Sequence, residues 1–428
     1  MTKPMGLLQA ARAFSNGKLT HKDYVASCVK RADDVEPWLK AFTFRVPEGS
    51  LSVADEGPLA GIPVAVKDVM ETAGIPTTYG SRAYPDYVPE TDAAVVARIK
   101  DLGGTVFGKT VTTEFAWRCP GPTVNPWNTA HTPGGSSSGS AAAVATGIVP
   151  LALGTQTVGS VVRPAAYCGV VGFKPSFGAI PIAGVHPLAQ SLDHVGFFTR
   201  SVDDAGYALS VLADVGLDGS SPDLLSGTES LPSPRLALVV TPFAHKMSDE
   251  QTAALEKATA DLRAAGAVVE PLALPEAYWQ SVEGTETILA AEAAAIHKDL
   301  VARLPDKTSP HLKDLAAEGA QVSALAYIAA LRLQAQLRAG LAAELHGFDA
   351  VLTVPATGEA PEGLAYTGDA TFCSPWTFMG VPAITLPVAQ SRNGLPLGIQ
   401  LVAPFHRDRH LLRVAKWAEQ NLKNPFAF

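Results

Sequence analysis

Between Gly134 and Gly178 the chain reads GGSSSGSAAAVATGIVPLALGTQTVGSVVRPAAYCGVVGFKPSFG. Hydroxyls and small residues are denser here than an ordinary core or loop needs. The chemistry such a segment offers is nucleophilic. A serine hydroxyl attacks well only when a base takes its proton, and glycines let backbone amides come close to a ligand. Other chemistries have no spacing to support them. The 10 histidines form no HExxH or paired pattern, so neither a metal site nor a Ser-His-Asp triad is required. Cys28, Cys119, Cys168 and Cys373 are scattered without CxxC spacing and read as reduced thiols. No cofactor is expected.

Further motifs stand around this segment in a definite order. LAGIPVAVKDVMETAGIPTT (Leu59–Thr78) carries Lys67, and GSVVRPA carries Ser160. GKTVTTEFA (Gly108–Ala116), NPWN (Asn125–Asn128), SLDHVGFFTRSVDDA (Ser191–Ala205) and the run from Phe378 to Leu412 follow. With these motifs the chain resembles the amidase signature family over nearly its whole length. The resemblance implies a nucleophile at Ser160, a bridging serine at Ser136 and a lysine base at Lys67. The two serines are 24 residues apart, the family's separation. It also implies a cis peptide bond between Gly135 and Ser136, and an oxyanion hole made by the amides of Thr157, Val158, Gly159 and Ser160.

The lysine can act as a base only when its pKa falls from ~10.4 toward ~7–8. Burial supplies such a shift by disfavouring the charged form, and the apolar run IPVAV before Lys67 suits a buried site. Asp68 follows directly. Alternate strand residues face opposite sides, so Asp68 need not pair with Lys67.

The chain departs from the family's commonest pattern at three places. Gln156 stands where aspartate is usual, Val158 where glycine is usual, and Val162 where many members have arginine. Valine keeps its amide but resists positive φ and adds bulk, so Val158 is expected to narrow the acyl pocket. GTQTxGSVxRPA is similar to the malonamidase-like branch. Arg163 then has two readings: a bidentate partner for a substrate carboxylate, or a pin between the Pro164 loop and a buried acid. Trp117, Trp376 and Phe378 are candidates to line the substrate pocket, with core packing as the alternative.

Composition bounds the rest. The chain has 428 residues, 47% of them hydrophobic, and a net charge of −8. That charge argues against a nucleic-acid partner. The longest small-apolar run, Ala141–Gly154, is too short for a membrane span and contains Pro150. No signal peptide is read at the N-terminus, and a cytoplasmic location is expected. GGTVFGKT (Gly103–Thr110) fits the P-loop pattern formally, but a helix precedes it and a strand falls inside it, so nucleotide binding is not expected.

The elements that must position these residues follow from periodicity. Leu7, Leu8, Ala11 and Phe14 recur at helical spacing, and Thr20 with Asp23 marks the start of a second helix. Strands are expected at 62–66, 105–108, 149–153, 170–173, 236–240, 351–354, 383–387 and 398–402. Helices are expected at 93–102, within SGSAAAVATG, and at 249–264, 290–304, 323–345 and 407–421; 220–235 reads as a loop. The fold class is α/β, with a central mixed, mostly parallel sheet covered by helices on both faces. One domain over 1–428 is expected, with 236–345 as a candidate helical cap. The function implied is hydrolysis of a small amide, carbamate or anilide through an acyl-enzyme. The alternatives are the glutamine-hydrolysing subunit of a tRNA-dependent amidotransferase and a catalytically silent binding protein. The expected partner is a small molecule, and a homodimer stays open.

Overall fold

The structure, a computed structural model, describes residues 5–214, 227–239 and 241–427. Eleven strands form one sheet. In chain order they are β1 (Phe42–Arg45), β2 (Pro63–Lys67), β3 (Thr105–Thr110), β4 (Leu151–Gln156), β5 (Val171–Lys174), β6 (His194–Thr199), β7 (Arg235–Val239), β8 (Val268–Leu272), β9 (Ala350–Thr353), β10 (Ala383–Gln390) and β11 (Pro396–Val402). Their order across the sheet is β1-β3-β2-β4-β6-β5-β10-β11-β9-β7-β8.

The sheet is mixed, as expected, but it is not mostly parallel. Of its ten pairings, six are antiparallel and four parallel. The parallel pairs lie in two blocks, β3-β2-β4 and β9-β7-β8. Between them, β6, β5, β10 and β11 run antiparallel to their neighbours. β6, which inserts between β4 and β5, gives two of these antiparallel pairings, and β10 and β11 give the other three.

The parallel block β3-β2-β4 positions the site. Parallel strands are covered on both faces and read as continuous apolar runs rather than alternating ones; every residue of β2, β3 and β4 is buried. The strand spanning Thr105–Thr110 fills the P-loop-like motif, leaving no phosphate-cradling loop there. The helix Ser138–Ala145 lies on this block through small side chains. A Cβ at Gly139 would sit 2.1 Å from the Ala41 carbonyl oxygen and 2.6 Å from the Val111 amide, so only glycine permits the approach.

Most other expected elements form. Thr20 caps the helix His21–Leu39 by accepting from the Asp23 amide. The segment 236–345 supplies strands β7 and β8 to the same sheet as well as the helices Ser281–Arg303, Pro310–Gly319 and Ala324–Glu344. It is therefore not purely helical. The expected loop at 220–235 and the last residue of the 236–240 strand lie partly outside the described residues. All four cysteines are free thiols.

Candidate active site

Lys67 ends β2, at the C-terminal edge of the parallel block. Ligand sites in α/β sheets form at such edges because loops there leave a crevice. The Lys67 side chain is fully buried. Its Nζ lies 2.7 Å from Ser136 Oγ and 2.7 Å from Thr155 Oγ1, with the Thr155 carbonyl at 3.5 Å. Burial pulls its pKa well below the ordinary lysine value, and the charge of Asp193 opposes this in part.

Asp68 turns to the opposite face. It meets Lys109, whose Nζ is 3.1 Å from Asp68 Oδ1, and neither side chain reaches solvent. Among the described residues no carboxylate forms an ion pair with Lys67. Alternation along the strand thus separates the two neighbours as expected.

Ser136 and Ser160 are both buried and line one cavity of about 420 Å³. The Gly135–Ser136 peptide is cis. Ser160 sits on the turn 157–161 between β4 and the helix Val162–Cys168. Thr157, Val158 and Gly159 border the same cavity. Among the described residues, the amides of Val158, Gly159 and Ser160 donate to no protein acceptor. A side chain at Gly159 would be crowded: its Cβ would lie 3.0 Å from Ala370 Cβ and 3.1 Å from Cys373 Cβ.

Gln156 holds this turn from below. Its Oε1 accepts from the Val161 and Val162 amides at 2.8 and 2.9 Å, two donors that the helix start leaves without an intrahelical partner. Its Nε2 donates to Thr377 Oγ1 at 2.8 Å.

Arg163 lines the cavity wall and is almost fully buried. Its guanidinium donates to the carbonyls of Gly135 (2.7 Å) and Gly368 (2.8 Å). It pins loops, but to main-chain carbonyls and not to a buried acid. Trp117 borders the cavity, fixed by donation from Nε1 to the His311 carbonyl at 3.1 Å. Trp376 and Phe378 do not border it. Both are core residues, and the Phe378 ring lies where a Cβ on Gly284 would be, 2.7 Å away, behind the helix that forms the cavity wall. Of the two readings, core packing is the one the structure has.

Two neighbours of the Lys67 and Ser160 cluster escaped the sequence reading. Thr155 is the second hydroxyl on Lys67, and its place in the GTQT motif one strand away from Lys67 was the available signal. Asp193 accepts from Thr157 Oγ1 at 2.6 Å and from the amides of Leu188 and Ala189. Burial raises its carboxyl to about 6. Its motif, SLDHVGFF, carried no chemical role by itself. Among the described residues no cluster of His, Cys, Asp and Glu is fit to hold a metal ion, and no helix is long and apolar enough to cross a membrane.

The family model described as Amidase matches residues 23–412. A glutamyl-tRNA(Gln) amidotransferase subunit from Halothermothrix orenii is 33% identical, covering 95% of this chain and 94% of its own length. A solved structure described as an amidase superposes with a TM-score of 0.86 at 30% identity, over 98% of this chain and all of its own. The structure of 6-aminohexanoate cyclic dimer hydrolase gives 0.88 at 25% identity, covering 100% of this chain and 99% of its own. With an amidase model matched across most of its length, and relatives of this similarity over nearly all of it, the chain belongs to the amidase family.

Proposed function

We propose that this enzyme hydrolyses the C–N bond of a small amide through an acyl-enzyme on Ser160. The observation that carries this reading is the 2.7 Å contact between Lys67 Nζ and Ser136 Oγ in a fully buried setting without a paired carboxylate. A lysine so placed is a neutral amine with a free lone pair. It takes the Ser136 proton as Ser136 takes the Ser160 proton, and Ser160 Oγ attacks the carbonyl carbon. The oxyanion accepts from the amides of the 157–160 turn, each such donor being worth roughly 2.7–4 kcal/mol in the transition state. The relay then returns a proton to the leaving nitrogen, and the C–N bond breaks. Water attacks the acyl-Ser160 ester with the same relay as base, and the acid departs.

A cavity of about 420 Å³ suits a small substrate. Trp117, Val158 and Arg163 border it. Carbamates and anilides share the scissile geometry and belong to the same substrate class. The second reading is glutamine hydrolysis within a tRNA-dependent amidotransferase, favoured by the name and 33% identity of the Halothermothrix orenii relative.

The test is hydrolysis by the purified chain alone, without ATP or tRNA, across short aliphatic, aromatic and carboxylated amides and carbamates. Turnover together with labelling of Ser160 by a fluorophosphonate, both lost in Ser160→Ala, is the expected outcome. Turnover that survives Ser160→Ala would overturn the mechanism. Glutamine hydrolysis that needs partner subunits would favour the second reading.

A further inference from the structure

Resting on that hydrolase reading, we infer that Thr377 and Gln156 are positioning residues that aim one oxyanion donor, the Gly159 amide, into the cavity. The hydroxyl of Thr377 donates to the Val158 carbonyl at 2.6 Å. The Cys373 carbonyl is a weaker claimant on the same hydrogen at 3.2 Å. The Val158–Gly159 peptide is trans, since among the described residues the sole cis bond is Gly135–Ser136. In a planar trans peptide the C=O and N–H point opposite ways. Holding the Val158 carbonyl on Thr377 therefore turns the Gly159 N–H away from Thr377. Gly159 borders the cavity, and its amide meets no protein acceptor among the described residues.

Gln156 sets the direction of this chain of bonds. A hydroxyl has one hydrogen. Because the Gln156 amide nitrogen already donates to Thr377 Oγ1, the Thr377 hydrogen is free to go to Val158. A carboxylate at position 156 has no hydrogen to give. It would attract the Thr377 hydrogen to itself and leave the Val158 carbonyl without its donor. Both side chains are about 1% exposed, so water offers no ready substitute. The glutamine at this position thus has a specific task that an acid of similar shape cannot perform.

The experiment compares Thr377→Val, Thr377→Ser and Gln156→Glu with the wild-type chain. The readouts are kcat and KM on a short-chain anilide, the rate of fluorophosphonate labelling, and Tm. Complete loss of an oxyanion donor costs about 10²–10³ in kcat, and a donor left in place but mis-aimed should cost less. Thr377→Val and Gln156→Glu should each lower kcat and labelling by roughly 10- to 100-fold, with KM changed by less than about threefold. Thr377→Ser, which keeps the hydroxyl, should restore most of the loss. The Gln156→Glu/Thr377→Val double variant should be no slower than the slower single variant, because both act through one bond. Wild-type kcat in Thr377→Val, a loss expressed only in KM, or no recovery in Thr377→Ser would overturn the inference. Should Thr377→Val fail to fold, the kcat and KM of Gln156→Glu decide by the same criteria. A wild-type chain that neither turns over nor labels defeats the hydrolase reading itself, which is a separate result.

Discussion

Two buried lysines stand on adjacent strands at the edge of the parallel block, and their surroundings set them to different tasks. Lys67 on β2 lies beside Thr110 in register, and Lys109 on β3 lies beside Val66. Both side chains are fully buried. Lys109 faces Asp68 at 3.1 Å, and it donates to the Met70 carbonyl and to Thr77 Oγ1. Burial lowers its pKa to about 8, and the charge and hydrogen bond of Asp68 oppose that fall. Lys67 has hydroxyls where Lys109 has a carboxylate, and its pKa falls well below the ordinary value. Desolvation acts on both, and the partners differ. Lys109 is an ion-pair strut, and in the proposed mechanism Lys67 is the base.

That contrast can be broken most sharply at Lys67. Lys67→Ala should lower kcat/KM by about 10²–10⁴, the usual worth of a general base, while leaving the urea midpoint little changed. Lys109→Ala should do the reverse. It strands a buried carboxylate, and breaking a buried pair from one side costs about 3–5 kcal/mol of stability. Urea unfolding measures this directly. Replacing both partners, with Lys109→Met and Asp68→Leu together, should recover most of that stability, because no uncompensated charge remains. A double variant as unstable as Lys109→Ala would contradict the strut role.

The pH profile sharpens the comparison further. Lys67 works in its neutral form, so kcat/KM should rise with pH through its lowered pKa and level off above it. Asp193 holds that pKa up through its charge. Asp193→Asn should therefore move the rising limb to lower pH, measured as the midpoint of kcat/KM against pH. A shift to higher pH would show that Asp193 acts on the site by another route. The smallest effect is expected at Val158. Val158→Gly should widen the cavity at this point and lower KM for branched acyl groups by about tenfold or less, in the range that one or two methylenes give. A comparison of linear and branched amides checks it.

The parts of this site that were legible in the sequence are those that depend on local pattern. The apolar run before Lys67 marks a buried parallel strand, and strand alternation sends Asp68 away from Lys67. The small residues of SGSAAAVA mark a tightly packed helix. What stayed hidden depends on contacts between distant segments. The Gln156–Thr377 bond joins residues 221 apart in sequence, and nothing in either motif names the other. β6 was hidden inside a motif whose six residues, HVGFFT, are all buried and so do not alternate. Missing it hid two of the sheet's antiparallel pairings. β8 carries Pro271 and lies at the sheet's edge, where the missing N–H does no harm but the strand pattern is weakened. Pocket and core stayed open for Trp376 and Phe378 because aromatic residues near such a motif look the same in sequence whether they face the ligand or the core.

The most direct test of Lys67 as a neutral amine is the rate of Ser160 acylation against pH in the wild-type chain and in Lys67→Ala, followed by fluorophosphonate labelling. The expected result is a wild-type rate that climbs with pH to a plateau reached well below pH 10.5, and a Lys67→Ala rate that is far lower and has lost that climb. Equal rates with the same pH dependence in both proteins would contradict it.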